Sequence, residues 1–182
     1  MMAPPLALSL GDPAGIGPEI VGAAWQRLHQ AGPVFFVVGD ADLLQGDGVI
    51  VARIDDPLQA GAVFESALPV LHRPVTVPTQ SGRSDPAHAA SIVAWIEEAV
   101  DLTLGGFASG IVTSPIAKAP LYQAGFRFPG HTEFIAELTA TAPFEGTRGP
   151  VMMLTAADLR VCLVTIHVPL ERVPGLVTTQ KV

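Results

Sequence analysis

Cysteine is almost missing from this chain, with Cys162 the single one in 182 residues, so no disulfide framework can form within it. Cys162 lies in the apolar run Val161-Cys162-Leu163-Val164, a setting that predicts a buried thiol acting as a small hydrophobe. Basic residues are also scarce. Ten Lys and Arg stand against seventeen Asp and Glu, giving a formal charge of −7, and Lys118 and Lys181 are the only lysines. A nucleic-acid surface needs the opposite balance, so no nucleic-acid partner is expected and any phosphate would be a small one held locally. No apolar run reaches the roughly 18 residues of a membrane span, and no basic residue precedes Arg27 to open a secretory signal. The expectation is no membrane association and a cytoplasmic location.

Apolar side chains are plentiful, at 49% of the residues, enough for a substantial core. Eighteen Gly and seventeen Pro imply many tight turns without reaching the level of low-complexity disorder. The hydrophobic pattern alternates strand and helix. Leu6 to Leu10 reads as a buried strand, and Pro18 opens a helix to Leu28. Val34–Val38 and Val49–Val51 with Ile54 read as further strands. Leu71 to Pro86, rich in Pro, Thr, Ser and Gly, reads as a long irregular connection. From Pro86 to Leu104 the apolar residues recur at three- and four-residue spacing until Gly105-Gly106, which predicts a helix. A strand over 110–113, helices over 118–124 and 132–138, and strands over 151–154 and 161–165 follow. Thr132 is expected to cap the second of those helices, and Ala157-Asp158 to turn between the last two strands. Strand alternating with helix is the pattern of a parallel sheet covered on both faces.

Three loops and one strand end carry chemistry-bearing residues. Gly11-Asp12-Pro13-Ala14-Gly15-Ile16-Gly17-Pro18-Glu19 joins a strand to a helix, where backbone N–H groups can hold an anion. It lacks the Gly-Lys-Ser/Thr ending of a P-loop, and Ile20 stands where a dinucleotide fingerprint needs its last glycine. A tight structural turn and a ligand-facing loop both remain open. Lys118, in Thr113-Ser114-Pro115-Ile116-Ala117-Lys118, follows a strand end, the place where open α/β sheets bind ligands. In Pro129-Gly130-His131-Thr132-Glu133 a turn delivers an imidazole and a hydroxyl together at a helix start, suited to a phosphate or hydroxyl group, although a capping motif explains it too. His167, in Thr165-Ile166-His167-Val168-Pro169, is read as ending a buried strand and could line a cleft. His29, His72 and His88 read as helix-end or loop residues.

Five segments in this order resemble the 4-hydroxythreonine-4-phosphate dehydrogenase family of pyridoxal phosphate biosynthesis: Gly-Asp-Pro-Ala-Gly-Ile-Gly-Pro-Glu at 11–19, Thr-Ser-Pro-Ile-Ala-Lys at 113–118, Gly-His-Thr-Glu-Phe at 130–134, Val-Met-Met-Leu at 151–154 and Thr-Ile-His-Val-Pro-Leu at 165–170. The resemblance implies an α/β/α sandwich like the isocitrate and isopropylmalate dehydrogenase fold. Its first domain would cover 1–127, short of a closing C-terminal segment, and 128–182 would be part of a second. It also implies NAD-dependent oxidation and decarboxylation of 4-phosphooxy-L-threonine, a phosphorylated small molecule, by a homodimer. His131 and Thr132 would contact substrate. His167 would hold a divalent metal, zinc in the first place, with magnesium or cobalt as alternatives. Further metal histidines and substrate-gripping residues of the family belong to a portion that this sequence does not contain. The segment 141–149 is longer than the resemblance leads one to expect and reads as a surface insertion, while 176–182 reads as the opening of an element. Related dehydrogenases acting on phospho-threonate or on dihydrodiols of aromatic acids share these motifs, and a truncated, inactive binding or structural domain is the alternative of another class.

Overall fold

The computed structural model describes residues 3–44, 46, 48–145 and 149–179. It divides into two compact units, Met1–His131 and Thr132–Val182. The first is built on five parallel strands: β1 (Leu6–Ser9), β2 (Phe35–Gly39), β3 (Val51–Ile54), β4 (Leu68–His72) and β5 (Ile111–Thr113), in the order β3-β4-β2-β1-β5. Every residue of β2 is buried, as are four of the five in β4. Side chains alternate between faces along a strand, so burial of consecutive residues means that both faces are covered. This is the α/β architecture that the sequence pattern predicts.

The helices follow from local signals. α1 (Gly17–Leu28) has Pro18 in its first turn and buries Gly17, Val21, Gly22 and Trp25 along one face. The Trp25 indole donates to the Phe64 carbonyl at 2.8 Å, satisfying the polar edge of a buried ring, and Phe64 closes the one-turn helix α2 (Ala60–Val63). Asp85 caps the turn Pro86–His88 by accepting from the Ala87 N–H at 2.9 Å, and α3 (Ala89–Leu104) continues to Gly105. α3 buries Ile92, Trp95, Ile96, Ala99 and Val100 and packs against β1, β2 and β5. Each such large apolar side chain, once fully buried, contributes about 1.5–3 kcal/mol. α4 (Lys118–Gln123) and α5 (His131–Leu138) come next.

Two differences from the sequence pattern fall in the first unit. Leu71 and His72 belong to β4, an interior strand, and not to the irregular connection. Pro69 lies inside that strand, and proline argues against an interior strand on sequence grounds because it offers no N–H to the ladder. α5 begins at His131, so Thr132 lies within the helix and does not cap it.

The second unit contains the antiparallel hairpin of β6 (Met153–Ala156) and β7 (Leu159–Cys162), followed by the single turn α6 (Val173–Leu176). Ala157-Asp158 form the turn as expected, with Ala157 at φ 49, the left-handed region that two-residue hairpin loops use. All eight hairpin residues are exposed. Cys162 is therefore exposed and not a core thiol. An apolar sequence run predicts burial only where another layer covers the strand, and among the described residues none does. In the 141–149 loop Gly146, Thr147 and Arg148 lie outside the described residues, as do Gln180, Lys181 and Val182 in the closing stretch. No described helix is long and apolar enough to cross a membrane.

Candidate active site

From β1 the chain passes first to β2 on one side and later to β5 on the other, so its direction across the sheet changes between β1 and β5. In open α/β sheets the loops at the carboxyl ends of such strands are the usual ligand site. Here the loop after β1 is packed directly onto the loop after β5. The Asp12 N–H donates to the Pro115 carbonyl at 3.0 Å and the Ser114 N–H to the Ser9 carbonyl at 3.1 Å. Gly11 has φ +79, and a Cβ there would stand 2.5 Å from the Pro115 oxygen; a Cβ at Gly17 would strike the Leu10 carbonyl oxygen. These glycines let two backbones touch.

Asp12 is equally committed. Its buried carboxylate accepts from the Ala14 N–H at 2.9 Å and from the Ser84 hydroxyl, while the Gly82 N–H donates to the Ala14 carbonyl at 2.7 Å. The connection leading into α3 is thus fastened to the loop after β1. Of the two readings of Gly11–Glu19, this geometry supports the tight structural turn. Sequence reasoning passes over Ser84, because one serine in a Ser/Pro/Gly-rich stretch carries no signal until a buried carboxylate is seen to need it.

Lys118 and His131 both follow β5, joined by a reversal of the chain. β5 ends at Thr113, and the next four residues lead into α4, which makes Lys118 the first residue of that helix. After α4 the chain turns at Gly125, φ +92, and folds back. The Phe126 N–H donates to the Leu121 carbonyl at 2.9 Å, the Tyr122 hydroxyl to the Pro129 carbonyl at 3.4 Å, and the Phe126 and Phe128 rings meet at 5.4 Å. This hairpin of chain carries residues 126–129, just before His131, back against α4. Burial, and then the Lys118 ammonium, push the His131 pKa below the ordinary histidine value, because both disfavour the charged imidazolium. The ring is neutral near pH 7. Its Nε2 is enclosed and has no hydrogen-bond partner among the described residues. Thr132 follows in the same turn of α5 and is exposed. Tyr122, the chain's only tyrosine, holds the turn and gave no motif-level signal.

His167 belongs to the second unit and does not end a buried strand. β7 stops at Cys162, and His167 lies beyond it, exposed and at φ +52. A non-glycine residue in the left-handed region is strained, a condition that concentrates at functional positions.

One cluster could be mistaken for a metal site. Asp40, Asp42 and His72 bring their ligand atoms within 4.8 Å of one another. Each of the three already holds a hydrogen bond or ion pair. Asp40 accepts from the Asp42 and Val75 N–H groups at 2.9 and 3.0 Å, the Ala41 N–H donates to His72 Nδ1 at 3.1 Å, and Asp42 pairs with Arg53 at 2.6 Å. This is a hydrogen-bonded clamp between the ends of β2 and β4.

Comparison with known proteins agrees with this architecture. The family model described as "Pyridoxal phosphate biosynthetic protein PdxA" matches residues 32–182. A protein of Caulobacter vibrioides named 4-hydroxythreonine-4-phosphate dehydrogenase is 56% identical over 184 residues, covering 100% of this chain and 55% of its own length. One of the same name from Maricaulis maris is 45% identical over 187 residues, covering 98% and 55%. The crystal structure of a 4-hydroxythreonine-4-phosphate dehydrogenase from Burkholderia phymatum superposes with TM-score 0.81 at 28% identity, over 97% of this chain and 55% of that one. A terephthalate 1,2-cis-dihydrodiol dehydrogenase from Burkholderia xenovorans shares the fold, with TM-score 0.68 at 19% identity over 99% and 53%. The chain spans about half the length of the curated relatives it matches. With its matching motifs on a parallel α/β sheet and a family model covering most of its length, the chain belongs to the PdxA family.

Proposed function

We propose that this chain supplies the His131–Thr132 substrate contacts of an NAD-dependent dehydrogenase that oxidises and decarboxylates 4-phosphooxy-L-threonine to 3-amino-2-oxopropyl phosphate. The observation that carries this reading is the half-buried His131 at the start of α5, its Nε2 enclosed and without a partner among the described residues, in a chain that aligns along its whole length with a dehydrogenase of that name. A neutral imidazole can donate or accept one directed hydrogen bond without adding a charge. Thr132 adds a hydroxyl one residue on. These groups bind and orient a phosphorylated hydroxy acid. NAD, when bound, would supply the hydride acceptor for oxidation of the C3 carbinol; the residues named here would bind and orient the substrate for it.

His167 is proposed to contribute one imidazole to a divalent metal, zinc in the first place, its backbone strain being the feature that supports a functional role. One imidazole falls short of the three protein ligands usual at a catalytic zinc. The described residues of this chain therefore do not make a metal centre alone, and no step is assigned to one. A cytoplasmic homodimer belongs to the same reading; the exposed apolar residues Met153, Leu154, Leu159 and Val161 of the hairpin support further association.

Full-length protein, incubated with 4-phosphooxy-L-threonine and NAD, should produce NADH absorbance at 340 nm, and His131→Ala should lower kcat/KM by about a hundredfold. NADH from a phospho-threonate or an aromatic dihydrodiol, with none from 4-phosphooxy-L-threonine, would overturn the substrate.

A further inference from the structure

Among the hydrogen bonds that join the ends of β2 and β4, one depends on the charge of a side chain. The first N–H groups of a helical turn have no partner inside it, and Ala41, 1% exposed, opens the 3₁₀ turn Ala41–Leu44 soon after β2. Its N–H donates to His72 Nδ1 at 3.1 Å. No backbone carbonyl among the described residues takes it instead. A proton on Nδ1 would set donor against donor at that distance, so the neutral ring carries its proton on Nε2. Asp40 agrees with this assignment: its Oδ1 stands 3.7 Å from Nδ1, too far for a hydrogen bond, and accepts from the Asp42 N–H.

Protonation reverses the roles. An imidazolium donates from both nitrogens, so Nδ1 can no longer accept from Ala41, whose N–H is left buried without an acceptor, a costly state. The new Nδ1–H has Asp40 Oδ1 within a small turn of the ring. The surrounding charges permit the exchange. Asp40 at the end of β2 and Asp42 in the turn bring carboxylate oxygens within 4.8 Å of the ring nitrogen. Of the nearby cations, Arg53 on β3 is held by Asp42 at 2.6 Å, and Arg73, the next residue of the chain, by Glu98 of α3 at 2.6 Å. The His72 side chain is 21% exposed, so a proton reaches it without unfolding.

We propose that His72 is a pH-sensitive latch on the turn Ala41–Leu44. Neutral, it holds the turn through the Ala41 N–H; charged, it releases the turn and pairs with Asp40. Asp40 keeps the Val75 N–H at 3.0 Å through its other oxygen, so the release is confined to the turn, and the connection that runs on to Ser84 stays fastened. The order of a loop at the carboxyl end of the sheet thus follows acidity. This inference is independent of the reaction the protein catalyses.

The test is amide hydrogen exchange of the wild-type protein at about pH 8 and about pH 5.5, which bracket the ordinary charge change of imidazole, each rate corrected for intrinsic exchange. Ala41 should lose protection at the lower pH by about fivefold or more, while Val75 and the amides of β2 keep theirs. His72→Asn places an amide oxygen where Nδ1 stood and cannot titrate, so protection of Ala41 should persist at both pH values. His72→Leu should lose it at both. Ala41 protection that is the same at both pH values in wild type, or an equal fall in β2 and Val75, would overturn the latch. So would a His72→Asn protein that keeps the wild-type pH dependence. Should the variants fail to fold, ¹⁵N spectra of the wild-type histidine rings decide: the His72 ring should carry its proton on Nε2 at about pH 8, and its titration should share a midpoint with the Ala41 amide shift. A proton on Nδ1, a ring that never charges in the folded protein, or separate midpoints would defeat the proposal.

Discussion

The carboxylate of Asp12 accepts the hydroxyl of Ser84, joining the loop after the first strand to a residue 72 positions further along the chain. The same carboxylate holds the Ala14 N–H, so both of its oxygens serve the backbone and side chains around it. Asp12→Ala should leave these donors unmatched in a buried setting and lower stability by about 1–3 kcal/mol, with Ser84→Ala costing about 1 kcal/mol. The midpoint of urea unfolding measures both. Asp12→Ala within a few tenths of a kcal/mol of wild type would show that the clamp is not needed.

Gly11 and Gly106 share nearly the same backbone conformation, φ +79 and +78, but only Gly11 has backbone within reach of an added Cβ. Gly106→Ala should cost only the left-handed backbone penalty, about 1–2 kcal/mol. Gly11→Ala carries the same penalty and a collision with the Pro115 carbonyl besides, so its melting temperature should fall much further, or the chain should not fold. Equal losses at the two positions would mean that the loops after β1 and β5 can separate freely.

His131 should titrate below about 6.5, the ordinary histidine value, because burial first and the Lys118 charge second oppose its protonation. The folded state then binds fewer protons at this site than the unfolded chain does. Stability from this group is complete above about pH 6.5 and declines as pH falls through the window toward the depressed folded value. An NMR titration of the ring gives the midpoint directly. Lys118→Met should raise it, and a wild-type midpoint at or above 6.5 would contradict the packing described for this corner.

Cys162 lies on the exposed strand β7, so a thiol reagent should modify the native 182-residue chain at close to the rate seen in denaturant. A rate suppressed by about a hundredfold or more would mean that another layer covers the hairpin in solution.

The Asp40–Asp42–His72 cluster should behave as a clamp. Asp40→Ala should lower the unfolding free energy by about 1–3 kcal/mol, whereas EDTA should leave the melting temperature of the wild-type chain unchanged. A melt that drops on chelation would reveal a metal held there.

The residues proposed to carry binding chemistry drew attention in the sequence because loops following strands, with Gly and Pro around a single Lys or His, leave local signatures. The strand–helix rhythm was legible for the same reason: periodicities of two and 3.6 are properties of the chain itself. β4 escaped because Pro69 speaks against an interior strand, and strand membership there is settled by the neighbours β2 and β3 rather than by local preference. The Gly11–Glu19 loop stayed ambiguous for a related reason, since glycine serves equally a ligand's approach and a second backbone's.

By itself, then, the sequence determined an α/β chain of the PdxA family with His131, Thr132 and His167 at loop and helix starts, since composition, periodicity and motif order are one-dimensional facts. Tertiary structure alone decided that the chain reverses at Gly125 to carry His131 back past α4, that Asp12 is spent on Ser84, and that Cys162 is exposed. Each depends on which distant segment arrives alongside, through the parallel register and the reversal at Gly125, and contact between residues far apart in the chain has no local signature.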